Sequence, residues 1–398
     1  MTSVNLAVLG GKPFFSKELP VGQLYFPRWD EYEEMMRGVF SRHYYTNHGP
    51  LVEEFESKLA DFLGVDNAIC VSNATIGLCI LLESMEIEGK VIVPAFTFIS
   101  TIQAILWCGL QPVLCDIAED SQHMDINHLD ELLKKGADAV LAVNLWGGCV
   151  DVGEVESLCA RYNAPLVFDS AQAFGVNFNN KFVGSFGKAE VFSFHATKIL
   201  SATEGGVITT NDNLLAERLR NIRSSYGVRK KIDVFRTANG RMSEAQAAVG
   251  LISLSKFTHY RNRNKLLFME YDNFLNDIPG IKVLHPENTR SSNYQYLVCE
   301  VDEKVFGLSR DELVFSLHAE NIMARKYFNP LCFNVYDFEG SNDEHSIKQT
   351  KLVSEKVLQL PLGALVELED VFHICRIVKL IYDFSVDVSE ALKGKGLS

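Results

Sequence analysis

The sequence lacks the cysteine and histidine patterns that are typical of disulfide frameworks and metal sites. Its nine cysteines are odd in number, lie in apolar segments and show no C-x-x-C spacing, and its ten histidines form no H-E-x-x-H motif. Disulfide frameworks need paired cysteines, and zinc sites need closely spaced ligands. We therefore expect reduced core cysteines and no bound metal.

Long apolar runs and runs of positive charge are also missing. No window reaches the roughly 18 apolar residues that span a bilayer, and the net charge is -13, with only the triplet at 229–231 as a basic run. Nucleic-acid binding requires clustered lysines and arginines. We therefore expect neither a membrane nor a nucleic-acid partner, and, since no basic leader precedes an apolar stretch, a cytoplasmic protein.

What is present is an alternation of short apolar runs and helical segments from about residue 50. The apolar runs are near-continuous and β-rich, as in strands buried on both faces: "KVIVPAF", "QPVLCDI", "AVLAVNLWG", "APLVFDSA", "AEVFSFH" and "GGVITT". Helical stretches such as "NHLDELLKKG" and "DVGEVESLCARYN" lie between several of them. This alternation predicts an α/β fold with a mostly parallel sheet covered by helices.

The pattern changes after about residue 242. A long helix capped by Ser243 is followed by mixed strands and helices, which predicts a smaller α+β domain at the C-terminal end. We expect three parts: an N-terminal segment (1–50) packing with the small domain, a large cofactor-binding domain (51–255) and the small domain (256–398).

Candidate catalytic residues follow the predicted strands. Lys198 comes after the apolar run "FSFHAT", where partial desolvation would favour its neutral, nucleophilic form. Asp169 follows "PLVF", Phe98 follows "VIVPAFT", and "SNAT" precedes a helix. Singly, each has a structural explanation: a helix cap or a satisfied buried carboxylate for Asp169, a helix cap for "SNAT", and the core for Phe98. Because ligands bind at the carboxyl ends of parallel strands, the set fits pyridoxal phosphate, which needs a lysine, a carboxylate, an aromatic ring and a helix N-terminus.

Seven motifs, in this order, carry a family resemblance: "YYTNHGPLVEEFE", "SNATIGL", "VPAFTFIST", "FDSAQAFG", "FSFHATK", "EGG" and "NGRMSEAQAAVG". The sequence resembles the DegT/DnrJ/EryC1/StrS sugar aminotransferases, which have the fold type I of pyridoxal phosphate enzymes. The sequence departs from the commonest family motifs at two places, Asn73 before "AT" and "NLWG" at 144–147. These departures concern the substrate contacts and not the cofactor site.

The resemblance implies a role for each matching residue. Lys198 would form the Schiff base with pyridoxal 5'-phosphate and move protons, and Asp169 would pair with the pyridine nitrogen. The other implied cofactor contacts are Phe98 and Gln172 at the ring, Thr75, the Ile76 backbone and Ser193 at the phosphate, and Asn239 from a neighbouring subunit. Implied substrate contacts are His195, Asn47, His48, Arg325 and Tyr327, with Lys326, Arg229 and Arg241 as further candidate cations.

The resemblance also implies the reaction. We expect a homodimer with shared active sites that transfers the amine of L-glutamate to C4 of a nucleotide-linked 4-keto-6-deoxy sugar, dTDP being the expected nucleotide and lipopolysaccharide O-antigen the expected destination. Alternatives are amination at C3, a sugar dehydratase of the same fold and a non-catalytic regulator. Lys198 disfavours the dehydratase, in which a histidine replaces the lysine, and the acidic charge disfavours a regulator.

Overall fold

The computed structural model describes residues 6–224, 230–336, 338 and 346–394. The helices of these ranges are α1 (Trp29–Arg42), α2 (Pro50–Leu63), α3 (Ala74–Ser84), α4 (Ile99–Trp107), α5 (Ile126–Lys134), α6 (Val152–Arg161), α7 (Asn213–Arg223), α8 (Glu244–Leu275), α9 (Glu303–Phe306), α10 (Arg310–Ala319), α11 (Lys348–Lys356), α12 (Leu368–Asp383) and α13 (Ser385–Lys393). The strands are β1 (Leu19–Pro20), β2 (Asn67–Val71), β3 (Lys90–Pro94), β4 (Gln111–Cys115), β5 (Ala139–Val143), β6 (Leu166–Asp169), β7 (Asn177–Phe178), β8 (Lys181–Phe182), β9 (Glu190–Ser193), β10 (Gly206–Thr210), β11 (Ile281–Leu284), β12 (Leu297–Val301), β13 (Ile322–Met323), β14 (Arg325–Lys326) and β15 (Val357–Leu360).

A seven-stranded sheet in the order β2-β10-β9-β6-β5-β3-β4 forms the centre of the large domain. Only β10 runs antiparallel to its neighbours, and the other pairings are parallel. In β3, Val91 and Val93 pack into the cluster that contains α3 and α4, whereas Ile92 packs into the cluster that contains α5 and α6. Burial on both faces explains the continuous apolar runs, and the predicted mostly parallel α/β fold is confirmed.

A second sheet, in the order β11-β12-β15-β14, is antiparallel throughout and belongs to the C-terminal part of the chain. Helices α10 and α12 contribute to the apolar cluster around it. The N-terminal segment contacts this region, because β1 pairs in parallel with β13. The amides of Ala7 and Phe14 also donate to the Glu320 carboxylate, at 2.7 and 2.8 Å.

The 32-residue helix α8 connects the two sheets without a break. It begins at the predicted cap, where Ser243 and Gln246 form a reciprocal capping box. Its first half packs on the large sheet through Ala247 and Phe257, and its second half packs in the small domain through residues such as Tyr271. Of the helices in the described ranges, α8 included, none is long and apolar enough to cross a membrane.

Candidate active site

A cavity of about 650 Å³ lies at the carboxyl ends of the parallel strands, between the large sheet and the small domain. The loops after β2, β3, β5, β6 and β9 line it from the large domain, and Tyr296, Arg325, Tyr327 and Gln359 line it from the small domain. This is the edge at which open α/β sheets bind ligands. Most of the residues singled out in the sequence meet in this cavity.

Lys198 lies in the turn after β9, where its amide donates to the carbonyl of His195 at 2.9 Å. Its side chain reaches the cavity, and Nζ donates a hydrogen bond to the Tyr296 hydroxyl at 2.8 Å. Burial lowers the pKa of the Lys198 amine, while Tyr327 and Asp169 act in the opposite direction. A lower pKa increases the neutral, nucleophilic fraction of the amine at neutral pH.

Asp169 ends β6 and lies at the floor of the same cavity with only 4% of its surface exposed. One carboxylate oxygen accepts from the Thr101 hydroxyl at 2.7 Å and the other from the Ala171 amide at 3.1 Å. Thr101 in turn bonds to Thr97 at 2.8 Å. Burial raises the pKa of the Asp169 carboxyl, and these two donors oppose the rise. The carboxylate is therefore suited to a cationic ligand group that would offset its desolvation.

The N-terminus of α3 forms another wall of the cavity, as predicted for a phosphate site. Asn73 is the N-cap, and its side chain accepts from the Ile76 amide at 2.9 Å, so that this amide is already bonded within the chain. Thr75 and Ser193 line the cavity nearby. The phosphate contacts expected of Thr75 and Ser193 fit this position, whereas the Ile76 amide would have to leave Asn73 first.

Phe98 and Gln172 also line the cavity, in the loops that follow β3 and β6. Phe98 is 51% exposed, and its ring centroid lies 6.4 Å from that of Phe328. An open aromatic face of this kind can stack on a planar ligand. Gln172 is buried, and its side-chain oxygen accepts from the Trp146 amide at 3.1 Å, which orients the side chain.

Three of the expected substrate contacts are also cavity residues: His195, Arg325 and Tyr327. The Thr197 amide donates to Nδ1 of His195 at 3.2 Å, and Nε2 lies 3.6 Å from the Glu204 carboxylate. Burial raises the pKa of Tyr327 to about 12, so its hydroxyl is neutral at physiological pH. Tyr327 therefore offers a neutral donor beside the Arg325 guanidinium.

Other expected residues lie outside this cavity. Asn47, His48 and Asn239 do not line it, although His48 bonds to the Arg223 guanidinium at 2.9 Å and the backbone carbonyl of Arg223 accepts from the amide of Gly240. Burial lowers the pKa of His48 to about 4, and the positive charge of Arg223 adds to this effect. The structure thus groups the "TNHGP" loop with the "NGRM" segment, at a place apart from Lys198.

The additional cations predicted for the substrate are not in the cavity either. Lys326 forms an ion pair with Asp311 at 2.6 Å, and Arg241 donates to the Ser224 hydroxyl at 3.0 Å. Arg229 lies outside the described residues. Within the described residues, the lining of the cavity contains one lysine, Lys198, and one arginine, Arg325.

Sequence reasoning missed Thr101, Tyr296 and Gln359. Thr101 stands four residues after Thr97 in the quoted motif "VPAFTFIST", so an i, i+4 spacing after a strand could have identified it. Tyr296 directly precedes β12, and Gln359 lies in β15, both in the small domain. Nothing local distinguishes them from ordinary strand residues.

Comparison with known proteins agrees with the geometry. The model of the DegT/DnrJ/EryC1/StrS aminotransferase family matches residues 29–379. The dTDP-4-amino-4,6-dideoxy-D-glucose transaminase of Shigella dysenteriae is 31% identical over 89% of this chain and 95% of its own. The GDP-perosamine synthase of Vibrio cholerae is 27% identical over 84% of this chain and 91% of its own.

A solved structure extends the agreement to nearly the whole chain. The crystal structure of DesI in the presence of its TDP-sugar product has a TM-score of 0.93 and 32% identity, and the match covers 98% of this chain and 99% of DesI. Fold and site therefore define a pyridoxal-phosphate-dependent aminotransferase. The chain belongs to the DegT/DnrJ/EryC1/StrS aminotransferase family, and the predicted class, a sugar-nucleotide aminotransferase, is confirmed.

The Thr101 hydroxyl provides a test of the Asp169 environment. Thr101→Val keeps the shape of the side chain but removes a donor to the carboxylate, so the pKa of Asp169 should rise further. Since only the ionised carboxylate pairs with a protonated ring nitrogen, cofactor affinity should fall about tenfold or more, and further as the pH falls. Fluorescence titration of apoenzyme with pyridoxal phosphate between about pH 6 and 8 measures this.

Thr209→Val is the matched control, because Thr209 is a fully buried threonine in β10 that donates to a backbone carbonyl at 2.7 Å. It should leave the pH dependence of cofactor affinity unchanged. If both variants lost cofactor affinity equally and independently of pH, a specific role for Thr101 would be contradicted.

Proposed function

We propose that this enzyme transfers the amine of L-glutamate to C4 of dTDP-linked 4-keto-6-deoxyglucose, giving a 4-amino-4,6-dideoxy sugar. The observation that carries the aminotransferase chemistry is the placement of Lys198 and Asp169 in one cavity, with the aromatic face of Phe98 exposed in it. The nucleotide and the position of the amine are supported by the relatives, since two transaminases named for dTDP-4-amino-4,6-dideoxy-D-glucose are 31% and 32% identical.

The residues present fit pyridoxal phosphate. Asp169 is a buried carboxylate whose hydrogen bonds come from a hydroxyl and an amide, and within the described ranges no lysine or arginine forms an ion pair with it. A protonated pyridine nitrogen would supply that missing charge. When bound, the cofactor carries the amino group between donor and acceptor and accepts electrons into its ring.

Each cavity residue then has a defined task. Lys198 Nζ takes a proton from the donor carbon and returns one in the second half of the reaction, and burial lowers its pKa, which favours the neutral form that accepts the proton. The Asp169 carboxylate would pair with the ring nitrogen, and Gln172 and Phe98 would limit movement of the ring. Thr75 and Ser193 would hold the phosphate at the positive end of α3.

The substrate side of the cavity has few cations. Arg325 is positioned to bind the donor carboxylate or the diphosphate, and His195 and Tyr327 to bind sugar hydroxyls. An opening between two domains admits a bulky nucleotide sugar more readily than a closed pocket would. The two amino-group transfers follow each other in the same cavity, so the kinetics should be ping-pong.

We also propose a homodimer in which each subunit completes the other's site. Asn239 is exposed and stands apart from the cavity of its own chain, together with Asn47 and His48. This arrangement supports the role implied by the family resemblance, in which Asn239 of the partner subunit binds the cofactor phosphate. The nine free thiols support a reducing compartment, the cytoplasm, and the O-antigen destination is part of the same proposal.

The assignment of Lys198 can be tested by trapping. Borohydride reduction of the holoenzyme should leave the cofactor attached to Lys198, because its amine is desolvated and faces Asp169 across the cavity. Peptide mapping by mass spectrometry identifies the labelled lysine. Lys198→Ala should abolish turnover with unchanged circular dichroism, and a label on any other lysine would exclude the assignment.

The substrate proposal can be tested by product analysis. Enzyme, L-glutamate and the dTDP-linked 4-keto-6-deoxy sugar should give a product whose amine NMR locates at C4, and initial rates should give the parallel double-reciprocal lines of a ping-pong mechanism. GDP- and UDP-linked keto sugars serve as controls for the nucleotide. An amine at C3, or turnover only with a non-nucleotide ketone, would contradict the proposal and leave the aminotransferase class intact.

Subunit complementation tests the shared site. Asn239→Ala should weaken cofactor retention, and mixing it with Lys198→Ala subunits should give heterodimers with one intact site. Random exchange should then restore roughly a quarter of wild-type activity. Activity measured after exchange, with mixing verified by native mass spectrometry, decides the point: no recovery means that each site is built within one chain.

A further inference from the structure

The segment directly before β12 forms hydrogen bonds to two loops of the large domain, one after β6 and one after β9. Asn293 donates to the carbonyls of Gln172 and Phe174 at 3.0 and 3.2 Å, beyond the end of β6. Gln295 accepts from the amide of Ile199 at 2.8 Å, next to the catalytic lysine. A small-domain segment thus fixes the loops that follow Asp169 and β9.

Tyr296 continues this segment and contacts the reacting atom itself. Its hydroxyl accepts from Lys198 Nζ at 2.8 Å, and Nζ lies 5.6 Å from the centre of its ring. The side chain is 95% buried, with Tyr327 edge-on at 6.2 Å. Burial raises the pKa of the Tyr296 hydroxyl, so it is a neutral phenol throughout the physiological range. A neutral phenol oxygen stabilises an ammonium by accepting its hydrogen bond.

A free Lys198 amine needs such a partner. A lysine side chain loses rotamer entropy when it is held in one conformation. In addition, the ammonium that forms when Nζ accepts a proton is disfavoured by burial. The hydrogen bond to the Tyr296 hydroxyl, which is fixed in the cavity wall, offsets both the loss of entropy and the cost of the buried ammonium.

We propose that Tyr296 is a catalytic partner of Lys198, which holds the released amine facing the cavity between proton transfers and stabilises its protonated form. This inference rests on the proposed role of Lys198. The proton moves from the substrate carbon to Nζ and is later returned to carbon, and Tyr296 neither gains nor loses a proton. No oxidation or reduction occurs at either residue.

Other titratable and charged groups surround the pair and remain in place when only the hydroxyl is removed. On the cavity side these are Asp169, Tyr327, Arg325, His195 and Glu204, and behind the Tyr296 ring they are His123, His285 and Glu287. A shift in the titration of Lys198 after removal of the Tyr296 hydroxyl can therefore be attributed to that hydroxyl.

Tyr296→Phe tests the proposal, because it keeps the ring and removes the hydroxyl. The readout is the rate at which apoenzyme captures pyridoxal 5'-phosphate as a function of pH, since only the neutral amine of Lys198 reacts. Loss of the hydrogen bond destabilises the ammonium, so the inflection should move to lower pH by about one unit. In the holoenzyme, kcat should fall about tenfold or more while KM for L-glutamate changes little.

Tyr294→Phe is the matched control. Tyr294 lies in the same segment, but its ring packs on Phe268 at 5.5 Å and on Lys265 at 5.8 Å, and it does not line the cavity. It should match the wild type in both the pH inflection and kcat. Near-UV circular dichroism and thermal unfolding of the two variants check that packing is preserved.

The outcomes separate this inference from the proposed function. If wild-type apoenzyme captures the cofactor on Lys198 and Tyr296→Phe shows the same inflection and kcat as Tyr294→Phe, the role of Tyr296 is wrong and that of Lys198 stands. If mapping finds the captured cofactor on another lysine in the wild type, both are wrong. A shift to lower pH confined to Tyr296→Phe supports the inference.

Discussion

Desolvation of the Asp169 carboxylate is the constraint on which the arrangement of the site depends. The side chain ends a central strand and is almost fully buried, so its charge is costly unless donors and a cation compensate it. Thr101 and the Ala171 amide supply the donors. In the proposed function a cationic ring nitrogen would supply the charge, and the same carboxylate raises the pKa of Lys198. One buried charge thus links cofactor binding to proton transfer.

The small domain acts on this chemistry through few contacts. Helix α8 joins the two sheets as one continuous element, and the segment before β12 bonds to the loops after β6 and β9. These buried bonds join the loop that carries Lys198 to the domain that carries Arg325 and Tyr327, the two residues proposed to contact the substrate. The proposed substrate contacts and the lysine are therefore connected through the segment before β12.

Much of the fold and the centre of the site could be predicted from sequence, for a physical reason. Strands buried on both faces are continuous apolar runs, and strand ends gather ligands, so Lys198 and Asp169 could be identified from position alone. The antiparallel direction of β10 could not be predicted, since "GGVITT" has the same apolar character as the parallel strands. Its direction depends on the connection at 194–205, which contains no helix. Tyr296 lies 98 positions from Lys198, and only tertiary packing brings them together.

The capping bond of Asn73 has a consequence for ligand selectivity. Because the Asn73 side chain already accepts the hydrogen bond of the Ile76 amide, the N-terminus of α3 attracts an anion less than an uncapped helix would. Inorganic phosphate would have to displace the cap with nothing else to gain. A ligand that also engages Asp169 and Lys198 can offset that cost of about 1 kcal/mol. The cap therefore favours a ligand with several contacts in the cavity over small anions that would contact the helix terminus alone.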